Sequence, residues 1–581
     1  MGSVWREVLT LQLGHYSNFV GSHWWNIQDS NLYYDAEVKD PYCEISNNVL
    51  FREGQTQHGQ TTYTPRLILL DLKGSLNSLK QEGVLYEGRQ TEPTVTWEGG
   101  VSVHKEEPVK KNQFLRDLDR HDGQRHTDRN LNGAAYQAEQ RAVPQRPLDL
   151  SQRNYQLEGS VTVWSDYLRV HLHPKTVSVV HQYNHEGDSD RFEAFGQGEK
   201  LFQDPAFLDD FEDRLHFYVE ECDYLQGFHL LCDLQDGFSG AASKLLELLK
   251  DEYGGRGIFT SGVAPTSHME TSPVKDIYRL LNTVMGIVNL SNRSSIFCPL
   301  SLNENLLRRR PASAATFPHL IYNASVNYHS SAVLASALDT LTLPHRLHSS
   351  NLSLVQLANA LNVSGRKMVM ASASLPFPLQ EGSTLPDALF SHQGEVPWRP
   401  LSPCGELRDS RCFSQSVVLR GISREQQVSN LPPGEKPPSV LHACPTGDEV
   451  LGKYIYSHFP ATLSAVHVAQ TPSKVLTPYP QLFTAAINRQ GHLAAAGAPS
   501  GGGVESMPVL SALQSSPVLH NVLRNLHKDV TCLDLRKFNS FLSAGTEVDD
   551  FKDALEELRT LSQCYKMNFD LDESEDESDM E

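Results

Sequence analysis

The run TPRLILLDLKGS at 64–75 is apolar without alternation and is bounded by a proline and a glycine. That pattern predicts a strand buried on both faces of a parallel sheet. Residues 6–13 are also densely apolar, and the turn GHYSNFVG after them leads into SHWWNIQD, which can open a helix. At 225–243, LQGFHLLCDLQDGFSGAAS repeats the order of strand and glycine turn and runs into the helical period of SKLLELLKDEY. Strands that alternate with helices predict an α/β fold around a parallel sheet.

Further along, YHSSAVLASALDTLTL predicts a helix over 328–343 with Val333, Leu334, Ala337, Leu338 and Leu341 on one face and Pro344 as its stop. KMVMASASLPFPL and CFSQSVVLRGI read as strands of a second unit, and 423–505, rich in Pro, Ser and Gly, predicts long loops. FKDALEELRTLSQCYKM places Phe551, Leu555, Leu558 and Tyr565 on one helical face. The stretch 104–155 is charge-dense with few large apolar residues, which predicts a disordered insertion. Regular character returns at SVTVWSDYLRVHLHP, where His171 and His173 would share one strand face. Trp24 and Trp25 read as packing residues.

Composition narrows the function classes. The chain has 581 residues and a formal charge of -20, long enough for several domains and too acidic for a general nucleic-acid binder. Part of the acidity is the tail DLDESEDESDME, where Ser574 and Ser578 are followed by acids and are candidate phosphorylation sites. Nine cysteines without a CxxC pair suit reduced thiols better than a disulfide framework or a zinc site. No secretory or transit pattern opens the chain, Arg6 breaks the myristoylation pattern, and no apolar run approaches the roughly eighteen residues of a membrane span.

The candidate chemistry sits at QDGFSGA. A strand, a glycine turn and a helix N-terminus together make a phosphate cradle, because backbone N–H groups can approach the anion. Only Gly237 and Gly240 are present, beside Asp236 and Phe238, and a tight turn is the favoured reading of both glycines. A nucleophile elbow of the GxSxG kind fails because Ala241 stands where its last glycine is needed. His171 and His173 read as surface or satisfied histidines, and no metal site is expected.

Taken in order, these segments resemble the tubulin superfamily. LQLGHYSNFVGSHWW is similar to its first loop, with Gln12, Gly14, Asn18, Gly21 and Trp25 in the family's places. TPRLILLDLKGS resembles its second strand, ECDYLQGF is nearly its text before the glycine loop, and QDGFSGA stands where GGGTGSG belongs. YHSSAVLASALDTLTLPHRL resembles the core helix, RKMVMASASLPFPL and LSPCGELRDSRCFSQSVVLRG the intermediate domain, and FNSFLSAGTEVDDFKDALEELRTL the C-terminal helical hairpin. Within the superfamily, REVLTLQLGHYSNFVGSHWWN, RLHFYVEECDYLQGF and DGFSGAA resemble the misato family. The resemblance implies a tubulin-like α/β architecture: a Rossmann-type parallel-sheet domain at 1–343, an intermediate α/β domain at 344–505, C-terminal helices at 506–567 and an acidic disordered tail at 568–581.

The resemblance also implies a guanine-nucleotide site at Gln12, Gly14, Asn18, Asp71, Gly237, Ser239, Gly240 and Tyr328, weak or vestigial here. Lys73 stands where tubulins carry a carboxylate that serves the metal, and Ala332 replaces the asparagine that reads the base. HSSNLSLVQLANALNVSGRK at 348–367, which resembles the loop that orients water in the next filament subunit, contains no Asp or Glu. The expectation is a non-enzymatic, tubulin-like protein of the cytoplasm and the mitochondrial outer membrane that organises mitochondrial distribution and network morphology, held there peripherally or through a protein. No catalytic residue and no cofactor are expected. The alternatives are a filament-forming protein that binds GTP or GDP and hydrolyses GTP slowly, and a cofactor of tubulin or its chaperonin that supports microtubule assembly.

Overall fold

The computed structural model describes the chain from residue 6 to 567 except 33–43, 56–60, 82–108, 131–152, 154, 188, 267–271, 305–313, 351, 405–410, 433 and 495–502. In chain order the first unit comprises β1 (Glu7–Leu13), α1 (His15–Asp29), the hairpin β2 (Phe51–Gln55) and β3 (Thr61–Pro65), β4 (Leu67–Lys73), α2 (Gln113–Asn130) and β5 (Val177–Asn184). It continues through α3 (Phe195–Leu201), α4 (Pro205–Glu220), β6 (Leu225–Asp233), α5 (Phe238–Glu252), β7 (Gly257–Val263), α6 (Pro273–Arg293), β8 (Ile296–Leu300) and α7 (Asn327–Leu341). Six strands form one sheet in the order β5-β4-β1-β6-β7-β8, with every pairing parallel.

Both faces of that sheet are covered, which is why its central strands lack alternation. Val8 packs in the cluster containing α1 and α7, whereas Leu9, Leu11 and Leu13 pack in the cluster containing α5 and α6. Each such side chain, fully buried, contributes about 1.5–3 kcal/mol. The core helix α7 is buried at every residue after Asn327, not only along the apolar face, because α1 lies on one side and the second sheet on the other. Ser331, Ala332, Ala335 and Ser336 are small enough to let both neighbours approach.

The second unit holds α8 (Leu354–Leu361), β9 (Met370–Ser374), α9 (Leu385–Phe390), β10 (Arg399–Pro400), β11 (Ser414–Arg420), α10 (Gly447–His458), β12 (Leu463–Ala469), the pair β13 (Ser473–Lys474) and β14 (Ser506–Met507), and β15 (Val509–Ser515). Its sheet runs β10-β9-β15-β11-β12; β11 and β12 are parallel and the other pairings antiparallel. The chain closes with α11 (Val518–Thr531), α12 (Asn539–Ser543) and α13 (Val548–Cys564); α11 and α13 pair and pack against α6.

Several elements differ from the sequence reading. Residues 506–567 are not all helical: β15 lies at the centre of the second sheet, and its seven residues are buried. The stretch 423–505 contains α10, started by the Thr446 side chain accepting the Glu449 amide, and the edge strand β12. Within 104–155, residues Gln113–Asn130 are helical rather than disordered. Asn112 accepts the Leu115 amide at 2.9 Å, Phe114 is fully buried, and Asp117 accepts the Tyr155 hydroxyl at 2.9 Å. Helix α1 begins at His15, not at SHWW, with Gly14 before it at φ +114°. His171 and His173 lie on coil before β5 rather than on a strand, and the His173 ring stacks on Phe217 with centroids 4.8 Å apart. The acidic tail, with Ser574 and Ser578, lies outside the described residues.

One buried charge cluster ties the two units together. Asp339 of α7 is paired with Arg346 at 2.8 Å and with Arg420 at the end of β11, and all three are at most 1% exposed. Gln28 of α1 donates to the same carboxylate, and the Arg420 guanidinium also donates to the carbonyls of Thr471 and Pro472 at 3.0 Å.

Candidate functional site

The carboxyl ends of β1, β4 and β6 meet beside the N-termini of α1 and α5. That crevice is where an open parallel sheet places a ligand, and helix N-termini there attract anions through unpaired amides. In this chain its own carboxylates take those amides. Asp233, the last residue of β6, accepts the amides of Tyr16 at 3.0 Å and Ser17 at 2.7 Å, and the Ser17 hydroxyl at 2.6 Å. Asp236 accepts the Phe238 amide at 2.9 Å, its own carbonyl takes the Ser239 hydroxyl at 2.7 Å, and the Gly237 amide donates to Phe192.

Burial raises the Asp233 carboxyl to about 6 against the bonds from Ser17 and Tyr16 that oppose it. Burial and the neighbouring Asp233 charge push Asp236 well above the ordinary carboxylate value. Both acids line a cavity of about 340 Å³ together with His15, His185, Arg191 and Arg279.

The glycines are placed for packing. Gly237 has φ −64°, a conformation open to any residue. A Cβ on Gly240 would lie 1.9 Å from the Phe195 carbonyl of α3, and one on Gly198 would lie 1.8 Å from the Gly237 carbonyl. Close approach of α3 to α5 is thus the requirement at Gly240, which lies inside α5 rather than in the turn; Gly237 does stand in the strand-to-helix turn, where a Cβ would meet the Phe192 ring at 2.9 Å. Gly14 differs: besides its positive φ, a Cβ there would meet the Asp233 carboxyl carbon at 2.5 Å. Ser239 is buried against α6, its Cβ 3.3 Å from the Cβ position of Gly286, and does not line the cavity.

Asp71, fully buried in β4, gathers a polar knot. Its Oδ2 accepts Trp164 Nε1 at 2.7 Å and Asn18 Nδ2 at 3.1 Å and lies 3.1 Å from His15 Nδ1, while Oδ1 accepts the Leu72 amide at 2.8 Å. Burial raises this carboxyl, but the charge and hydrogen bond of His15, with those of Leu72 and Asn18, hold it below its ordinary value. The His185 ring lies over His15 with centroids 3.7 Å apart, and burial together with His15 lowers its pKa. Lys73 ends β4 exposed to solvent.

The remaining residues of the sequence-predicted set lie elsewhere. Gln12 lies flat on α1, where a Cβ on Gly21 would meet its amide at 2.2 Å. Tyr328 lines a separate cavity of about 670 Å³ with Tyr155, Glu158, Pro478, Tyr479 and Gln481, none of which reaches the first cavity. Its hydroxyl donates to Pro478, and its ring packs edge-on to Tyr167 at 5.0 Å and beside His23 at 5.2 Å. Between the two cavities the space is filled. Tyr16 donates to Ser330 at 2.9 Å, Tyr167 donates to the Phe19 carbonyl at 2.8 Å, and both rings belong to one buried cluster with Trp164 and Tyr328. His23 Nε2 meets the Tyr328 carbonyl at 2.9 Å, and burial lowers this imidazole to about 3, so it stays neutral.

Sequence reasoning singled out Gly14, Asn18 and Asp71, which the fold brings together, and missed Asp233, His15 and His185. Asp233 sits three residues before Asp236 at a strand end, a signal available in the sequence. His15 and His185 offered none.

Comparison with known proteins gives a consistent result. Residues 6–120 match the family model described as the Misato Segment II tubulin-like domain, and residues 155–347 match that of a tubulin domain. Protein misato homolog 1 of Bos taurus is 50% identical over 567 residues, covering 97% of this chain and 98% of its own. The human protein of the same name is 49% identical over the same shares. Protein misato of Drosophila melanogaster is 31% identical over 571 residues, 96% of this chain and 98% of its own.

Proposed function

The chain belongs to the misato family of tubulin-like proteins, and on that premise we propose that it is a non-enzymatic organiser of mitochondrial distribution and network morphology, acting from the cytoplasm at the mitochondrial outer membrane. The non-catalytic half of this reading rests on one observation: Asp233 and Asp236 occupy the helix N-terminal amides that a phosphate would need. An arriving triphosphate has to take these amides from both acids, and an ionised Asp233 carboxylate about 4 Å from a phosphate charge repels it by roughly 4 kcal/mol at an intermediate dielectric. The absence of any acid from 348–367 removes the group that would orient a water, which supports the same conclusion.

The mitochondrial half rests on the family resemblance. Among the described residues no helix is long and apolar enough to cross a membrane, so the reading takes attachment to be peripheral or through a protein partner.

The test has two arms. Purified chain is denatured, its nucleotide content is read by chromatography, and GTP turnover is measured; neither stoichiometric guanine nucleotide nor turnover is expected. Bound nucleotide with turnover that Ser239→Ala abolishes would replace this reading with a filament-forming GTPase. In cells, depletion of the protein is expected to collapse the mitochondrial network, with full rescue by the Ser239→Ala chain. Recovery of tubulin or chaperonin with the purified protein, and an unaltered network on depletion, would favour a cofactor of tubulin.

A further inference from the structure

Two imidazoles and a carboxylate meet at the phosphate-side crevice: His15 at the first position of α1, Asp71 in β4, and His185 just beyond the end of β5. We infer that they hold a divalent late first-row transition-metal ion, zinc in the first instance, independently of any nucleotide.

Their ligand atoms all lie within 4.8 Å of one another. Donors about 2.0–2.2 Å from a tetrahedral zinc stand roughly 3.3 Å apart, and His15 Nδ1 and Asp71 Oδ2 are already separated by 3.1 Å. His185 is the ligand that moves. Its ring lies over His15 with the two planes at 32°, so its lone pair reaches the ion once the ring turns edge-on. The His185 backbone amide is held by the Lys73 carbonyl at 2.9 Å, which fixes the main chain and leaves the side-chain torsions to make the adjustment.

Asp71 is aimed by an outer shell. Trp164 and Asn18 donate to the oxygen that faces His15, and the Leu72 amide fixes the other. Such partners orient a metal ligand and sharpen its affinity. The charge around the cavity has the sign a cation needs. Asp71 and Asp233 are buried beside it, whereas the cationic groups are partly exposed and already paired, Arg191 and Lys275 with Glu193 and Arg279 with Asp276.

Two imidazoles beside one carboxylate favour zinc, cobalt, nickel or copper over magnesium and calcium, which prefer all-oxygen shells. Three protein ligands leave a fourth position facing the 340 Å³ cavity, the arrangement of an open zinc site.

The test uses the full chain, stripped with a chelator and repurified, then titrated with Co²⁺ as a visible probe and with Zn²⁺ by calorimetry. One ion per chain is expected, with cobalt d–d bands of a four- or five-coordinate site that zinc abolishes. His185→Gln is expected to weaken binding by about 100-fold or more. Trp164→Phe, which keeps all three ligands, should weaken it by about 10–100-fold. His185→Cys returns a ligand and should add sulfur-to-cobalt charge-transfer bands. Wild-type protein without cobalt bands overturns the proposal, and so does one-ion binding that His185→Gln leaves unchanged, because the ion then sits on other histidines. Should His185→Gln fail to fold, the His185→Cys bands decide: their absence with the d–d bands retained also overturns it.

Discussion

The carboxylate of Asp233 accepts the backbone amide of Ser17 at 2.7 Å across 216 residues of chain. A helix N-terminus that opens onto the crevice of a parallel sheet is thereby closed from within. Replacing a cap of this kind by alanine costs about 0.5–2 kcal/mol, and leaving buried amides without any acceptor adds to the loss. Asp233→Ala is therefore expected to destabilise the fold by about 2–3 kcal/mol at pH 7.5, read as a lower urea midpoint at unchanged slope.

Asp236 should act in the opposite direction. Its folded-state carboxyl, like that of Asp233, titrates above the ordinary value because burial and mutual repulsion disfavour the charge. The folded chain then binds more protons than the unfolded chain as pH climbs from about 4 toward neutrality, and stability falls over that window. Asp236→Asn is expected to flatten this slope and raise stability at pH 7.5, because the amide carries no charge for burial and Asp233 to penalise. Thermal midpoints at pH 5 and 7.5, taken with chelator present, measure it; an unchanged slope in the variant contradicts the assignment.

Asp339 stands between two buried arginines. Removing one partner of a buried ion pair costs about 3–5 kcal/mol because the other charge is left uncompensated. Asp339→Asn keeps the volume, so a loss of that size in chemical denaturation isolates the charge. Arg420→Met, which leaves the Arg346–Asp339 pair in place, is expected to cost less.

Gly240→Ala tests the packing role of the turn. The added methyl would meet the Phe195 carbonyl at 1.9 Å, a backbone atom that moves only if α3 shifts. Overpacking of this kind costs about 1–3 kcal/mol, and hydrogen exchange should quicken in α3 and the first turn of α5. A phosphate-loop glycine would instead leave the stability of the ligand-free chain unchanged.

Where the sequence carries one pattern with one structural cause, the fold could be read from it. The unbroken apolar runs of β4 and β6 are buried on both faces, and α7 follows its helical period to the stop before Pro344. Other elements are specified by remote partners. β15 is a strand because β9 and β11 flank it from far upstream, as in the pairing of Leu513 with Ala371 and with Ser416. α2 holds its place through Phe114, Leu115, Leu118 and Asp117, a few residues in a segment otherwise polar enough to read as unstructured. The site divides in the same way. Gly14, Asn18 and Asp71 stand close to one another in space and on readable elements, but nothing in the sequence around Tyr328 announces that Tyr16, Tyr167 and Trp164 fill the space between it and them. His15 and His185 meet only because β4 and β5 pair in register from Leu69 and Val177 onward.

The cluster of Asp339, Arg346 and Arg420 also bears on how the molecule can be handled. A cut between the core helix and the second sheet would strand an acid and a base on one fragment and an arginine on the other, each facing an interior that was dry before. Neither piece could heal that exposure by local rearrangement. The chain is indivisible as a reagent, and shortened versions would report on damaged protein rather than on half of its biology.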